Sequence, residues 1–138
     1  TMPKTTLTNQ EIVDLANGLH TCKDLKGVNF ALVVAKNLEN ISKELQHIDD
    51  ASKPTEKFLE IAGKIQELTR EGGKEEEIKN MEEEHKSLTD ERKKQLDEVA
   101  ELLKEESTID IFTVYSNKLP ADITADQVMK INKIIIDN

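Results

Sequence analysis

The sequence predicts a mainly α-helical protein, an elongated helical bundle or coiled-coil-like hairpin with one short β-like segment near its C-terminus. Three observations lead there. From Phe30 to Leu68 apolar residues repeat at helical spacing for longer than anywhere else. Ala31, Val34, Leu38, Ile41, Leu45 and Ile48 follow at steps of 3, 4, 3, 4 and 3, which sets all six on one stripe of a helix. Aromatic residues make up only 3% and Trp is absent, so the core must be built from Ile, Leu, Val and Ala, which suits helices sharing narrow seams. Only one stretch, Thr108 to Tyr115, is rich in β-branched and aromatic residues.

The 138 residues are read as a single helical domain. Residues 1–8 are a flexible N-terminus, 9–71 a helical spine, 74–106 a charged helical arm, 108–116 a β-like strap and 125–137 a C-terminal helix.

The first helix is expected to begin at Asn9. Thr8 and Glu11 have the spacing of a capping box, and Leu7 and Ile12 occupy the two positions of a hydrophobic staple. Ile12, Leu15, Ala16 and Leu19 form its apolar face, and the polar stretch ending at Gly27 closes it. The second helix is expected over Val28 to Asp50. Phe58, Ile61, Ile65 and Leu68 then resume the stripe one position early, a rotation of about 100° on an ideal helix. Two arrangements satisfy that slip: Ser52 caps a new helix with Pro54 in its first turn, or one helix kinks at Pro54. The first is preferred.

Gly72-Gly73 stops the helix. Lys74 to Glu106 then carries 13 acidic and 7 basic side chains. Its apolar positions begin as a thin seam, Ile78, Met81 and Leu88, with His85 where another apolar residue would sit, and continue as Leu96, Val99, Ala100, Leu102 and Leu103. A single rod would be about 50 Å long, too long for a compact domain of this size, so the arm either protrudes or breaks into two helices near Leu88, where Ser87, Thr89 and Asp90 are good caps.

Ile109, Ile111, Phe112, Val114 and Tyr115 form the β-like run. A strand needs a partner and no second run of this kind is evident, so it pairs with its own copy in another subunit or packs as an extended strap over the helices. Thr124 and Gln127 repeat the capping box, with Ile123 and Val128 as staple, and open a last helix bearing Val128, Ile131, Ile134 and Ile135.

A net charge of -9 and the lack of a basic patch argue against direct nucleic-acid binding. No apolar run approaches the roughly 18 to 20 residues of a membrane span. One cysteine and no apolar secretion core at the N-terminus point to a cytoplasmic setting. His20, Cys22 and Asp24 are the only cluster with ligand or nucleophile chemistry, but zinc wants more ligands at recognised spacings, and the preferred reading is a helix-end cluster with a partly buried thiol. Gly72-Gly73-Lys74 lacks the strand and the Ser or Thr of a phosphate loop. The glutamate runs at 75–77 and 82–84 are helical, unlike calcium loops, and read as a solvated face. No catalytic, cofactor or metal residue is assigned. The candidate interface is Ile78, Met81, Leu88, Ile109, Ile111, Phe112, Val114 and Tyr115.

The opening Leu7-Thr8-Asn9-Gln10-Glu11, the long stripe from Phe30, and a C-terminal order of Glu-rich helix, β-like run, Leu119-Pro120 and capped final helix resemble, in layout, small proteins of unknown function encoded by tailed bacteriophages. The charged stretch from Lys74 to Asp90 falls outside the resemblance. The resemblance implies a virus-encoded accessory protein in a bacterial host cytoplasm and transfers no catalytic residue. The expected function is therefore non-catalytic: binding and inhibition of a host or anti-phage defence protein. The alternative is a structural or assembly protein that acts as a homo-oligomer, with the thin seam mated in another subunit.

Overall fold

A computed structural model describes residues 3–138, and about 69% of them are helical, in seven α-helices and two short 3-10 turns. The fold is mainly α. Where the sequence reading has one helical domain, the chain divides into two compact units, one of Thr1–His47 with Leu102–Asn138 and one of Ile48–Glu101.

The first unit begins with a strand, β1 (Lys4–Thr8), at residues expected to be a flexible tail. It pairs antiparallel with β2 (Glu106–Asp110), Thr6 opposite Thr108 and Thr8 opposite Glu106. This is the partner that the sequence reading did not find for the β-like run. Three threonines among five residues favour extended backbone, and the Thr6 and Thr108 hydroxyls meet at 2.9 Å across the ladder. Helix α1 (Asn9–Thr21) follows directly, with the Thr8–Glu11 capping box formed as expected.

Helix α2 (Val28–Glu44) ends earlier than Asp50, and a separate short helix α3 (Gln46–Ser52) follows after Leu45. Beyond β2, Ile111 to Thr113 are irregular, and strand β3 (Val114–Tyr115) pairs in parallel with β4 (Ile135–Ile136). Helix α7 (Ala125–Lys130) starts at the Thr124–Gln127 box but does not run to 137. A 3-10 turn and β4 replace its second half. Ile135 and Ile136 are stiff, β-branched and content in a strand, and β3 offers them an edge.

Packed together, α1, α2, α7 and the two small sheets bury Ile12, Leu15, Leu19, Phe30, Val34 and Ile41 from the first half of the unit. From the second half they bury Ile109, Ile111, Val114, Ile131 and Ile134. Ala31, on the predicted stripe, is exposed, and Asn37 is buried in line with Val34 and Ile41.

The second unit is a helical hairpin. Helix α4 (Glu56–Glu71) is a new helix, as preferred, but Thr55 caps it rather than Ser52. Ser52 is the last residue of α3. Pro54 disfavours helical backbone at Lys53, so α3 stops there and the next hydroxyl available as a cap is that of Thr55. Gly72 and Gly73, with φ of +77° and +68°, form the left-handed turn that L side chains resist. Helices α5 (Glu75–Glu84) and α6 (Lys86–Lys104) return along α4, divided at His85 rather than at Leu88.

Candidate functional site

Helices α5 and α6 carry a seven-residue pattern. Ile78, Met81, His85, Leu88, Arg92, Gln95, Val99 and Leu102 lie at alternating steps of 3 and 4 and are the half-buried positions of that face. Opposite them, α4 offers Phe58, Ile61, Ile65 and Leu68 at the same steps. This is the geometry of two helices packed along a narrow stripe, and α5 lies against α4. Ile78 and Met81 of the thin seam therefore lie on a helix that packs against α4 of the same chain.

The seam is incompletely filled. Between Phe58, Ile61, Ala62 and Ile65 on one wall and His85 and Leu88 on the other, a groove of about 570 Å³ stays open, with Gln66, Glu82, Lys86, Thr89 and Asp90 at its margins. Of the lining apolar side chains only Ile61 is buried, and Ala62 is exposed.

Local chemistry sets the Phe58 end of this groove. The Thr55 hydroxyl accepts from the Phe58 amide at 3.1 Å, which fixes the first turn of α4 and so the position of the Phe58 ring. Near that ring, Arg92 donates to the Ser52 carbonyl and to Gln95 Oε1, both at 2.7 Å. Gln95 Nε2 in turn donates to the carbonyls of Ala51 and Lys53 at 2.7 Å. The last carbonyls of a helix have no partner within it and attract positive charge, so Arg92 and Gln95 serve as a C-terminal cap for α3 supplied from another helix. The Arg92 guanidinium also lies 5.9 Å from the Phe58 ring centre, a cation–π contact. This explains two of the three polar residues on the seam, His85 being the third.

Of the predicted interface residues, Leu88 lines the groove, and Ile78 and Met81 lie half-buried on the same seam. The C-terminal group lies elsewhere, in the first unit. Ile109, Ile111 and Val114 are core residues there, and Phe112 is half-buried with the Lys36 ammonium 5.0 Å from its ring centre. Tyr115 alone of that run is exposed, at 49%. Ile109, Ile111 and Val114 are thus spent on the core of the first unit, which leaves Phe112 half-buried and Tyr115 exposed.

The His20, Cys22 and Asp24 cluster does not converge. His20 and Asp24 are exposed, Cys22 is buried, and burial pushes its thiol above the ordinary 9.0. Among the described residues no group of three His, Cys, Asp or Glu side chains is placed to hold a metal ion. No described helix is long and apolar enough to cross a membrane.

Sequence reasoning missed Phe58, Ile61, Ala62 and Ile65 as groove residues, although the stripe of Phe58, Ile61 and Ile65 was legible. Two helices of matched periodicity can meet with a tight or an open seam, and the periodicity is the same in both cases. A search of protein-family models, curated proteins and solved structures finds no match to this chain.

Proposed function

We propose that this is a non-catalytic accessory protein that acts by binding another protein, with the open seam of the helical hairpin as its contact surface. One observation carries the reading. Fifteen apolar side chains are buried in the described chain, and only Ile48 and Ile61 of them belong to the unit Ile48–Glu101, which holds 54 residues. A unit of that size is marginal even with a full core. Its apolar residues sit instead on a half-covered seam that opens into a groove, and rimmed apolar grooves of this kind are where partner helices dock. The phage-type layout directs the search toward a bacterial host protein or defence component, whose inhibition by occupancy is the function we assign.

The decisive experiment combines light scattering over a range of concentrations with capture from bacterial lysate, using the wild type and Ala62→Glu. We expect a monomer that retains a specific host protein, with retention lost in the variant. A stable multimer that Ala62→Glu dissociates would replace this reading with the assembly protein. A monomer that retains nothing groove-dependent would remove it.

A further inference from the structure

We infer that the occupant of the groove is a basic amphipathic helix of the partner protein. This rests on the docking reading above and names the chemistry of what docks.

The shape argument comes first. The groove is walled by two helices with apolar side chains at alternating steps of 3 and 4, Phe58, Ile61 and Ile65 facing Leu88. The complement of such a trough is a third helix with its own apolar stripe at the same spacing, each residue seated between two residues of a wall. An extended strand has period 2 and would leave half its side chains out of register with the walls.

Charge then selects among helices. The unit Ile48–Glu101 holds 17 acidic and 10 basic side chains, a net of -7 out of the chain's -9. Helix α5 concentrates it, with six glutamates against the single Lys79 in ten residues. Among those six, Glu77 ion-pairs with Lys74 at 3.5 Å, and no ion pair involves the other five among the described residues. Glu82 and Asp90 lie at the groove margin against the single Lys86. A helix with Lys or Arg flanking its apolar stripe would meet this field favourably. A second copy of the hairpin, a nucleic acid or an anionic lipid surface would each bring like charge against it.

The test uses two synthetic helical peptides with leucines along one face, one carrying lysines on the other face and one carrying glutamates. Each is titrated into the full-length chain and into Ala62→Glu, with binding read by calorimetry and folding checked by circular dichroism. Ala62 is exposed, so the variant should fold. The Glu adds negative charge while filling the groove, so simple surface attraction would be kept or strengthened and docking would be lost. The expected result is binding of the lysine peptide alone, weakened about tenfold or more by Ala62→Glu and weakened again by raised salt. Equal binding of the lysine peptide to wild type and variant would overturn the inference. Groove-dependent binding of the glutamate peptide would overturn the basic occupant while leaving the docking groove standing. Binding of neither peptide would overturn both.

Discussion

The side-chain amide of Asn37 and the main chain of Phe112 are joined by two hydrogen bonds, Nδ2 donating to the Phe112 carbonyl at 2.9 Å and Oδ1 accepting from the Phe112 amide at 2.8 Å. Asn37 is 1% exposed on the inner face of α2, and Phe112 follows the point where β2 ends. Irregular backbone next to a core must still satisfy its polar groups. The amide does for Phe112 what a neighbouring strand would do. Asn40, one turn on, extends the tie by donating to the Asp110 carbonyl at 3.2 Å.

Asn37→Ala should therefore cost more than the area it removes. Both Phe112 groups would lose their partner, and an unsatisfied buried polar group costs about 1–3 kcal/mol. We expect a destabilisation of about 2–4 kcal/mol in urea unfolding. Asn37→Asp would set a buried carboxylate oxygen against the Phe112 carbonyl, so at neutral pH it should cost at least as much as the alanine variant. A loss under about 0.5 kcal/mol for the alanine variant would show that the tie is dispensable.

Gly18 lies where α1 and α7 cross. A Cβ built there would sit 2.7 Å from the Lys130 carbonyl oxygen, a backbone atom that cannot swing aside. Gly18→Ala should force the helices apart and destabilise by about 1–3 kcal/mol, as overpacking does. Gly63 in α4 has open space around it, so Gly63→Ala should stabilise by about 0.5–1 kcal/mol through helix propensity. Opposite signs of the two changes in thermal melts are the check.

Glu11 accepts from the Thr8 amide at 3.0 Å and faces the Lys133 ammonium at 3.1 Å. The Thr8 backbone bond first, and then Lys133, hold its carboxyl below the ordinary 4.5. A depressed folded value gives a contribution that is present above the unfolded value and lost as pH falls through the folded one. The melting-temperature gap between wild type and Glu11→Gln should be constant at neutral pH and shrink below about pH 4.5. A gap that widens on acidification would contradict this account.

Cys22 is the buried C-cap of α1, with the Thr21 hydroxyl 3.9 Å from its sulfur. Burial favours the protonated thiol. Native protein at pH 8 should react with a disulfide reagent slower than urea-unfolded protein by about two orders of magnitude. Rapid native reaction would reopen the thiol as a chemical site.

Much was legible from local rules. The boxes at Thr8–Glu11 and Thr124–Gln127, the stop at Gly72-Gly73 and the helical seams rest on interactions within a few residues of sequence. Spacing alone therefore specifies them. The predicted C-terminal helix failed where a long-range contact competed, since Ile135 and Ile136 found β3 and left helical backbone. The missing strand partner failed for the same reason, because Lys4–Thr8 has threonines that suit a strand but pairs only with Glu106–Asp110, about a hundred residues away. By itself the sequence determined the mainly helical class, the helix starts, the acidic surface and the apolar stripes. Only the tertiary structure decided that Asn37 belongs in the core, that the run Ile109 to Val114 is spent inside the first unit, and that the seam of the hairpin is left open. Periodicity says which side of a helix is apolar, and only packing says how completely another element covers it.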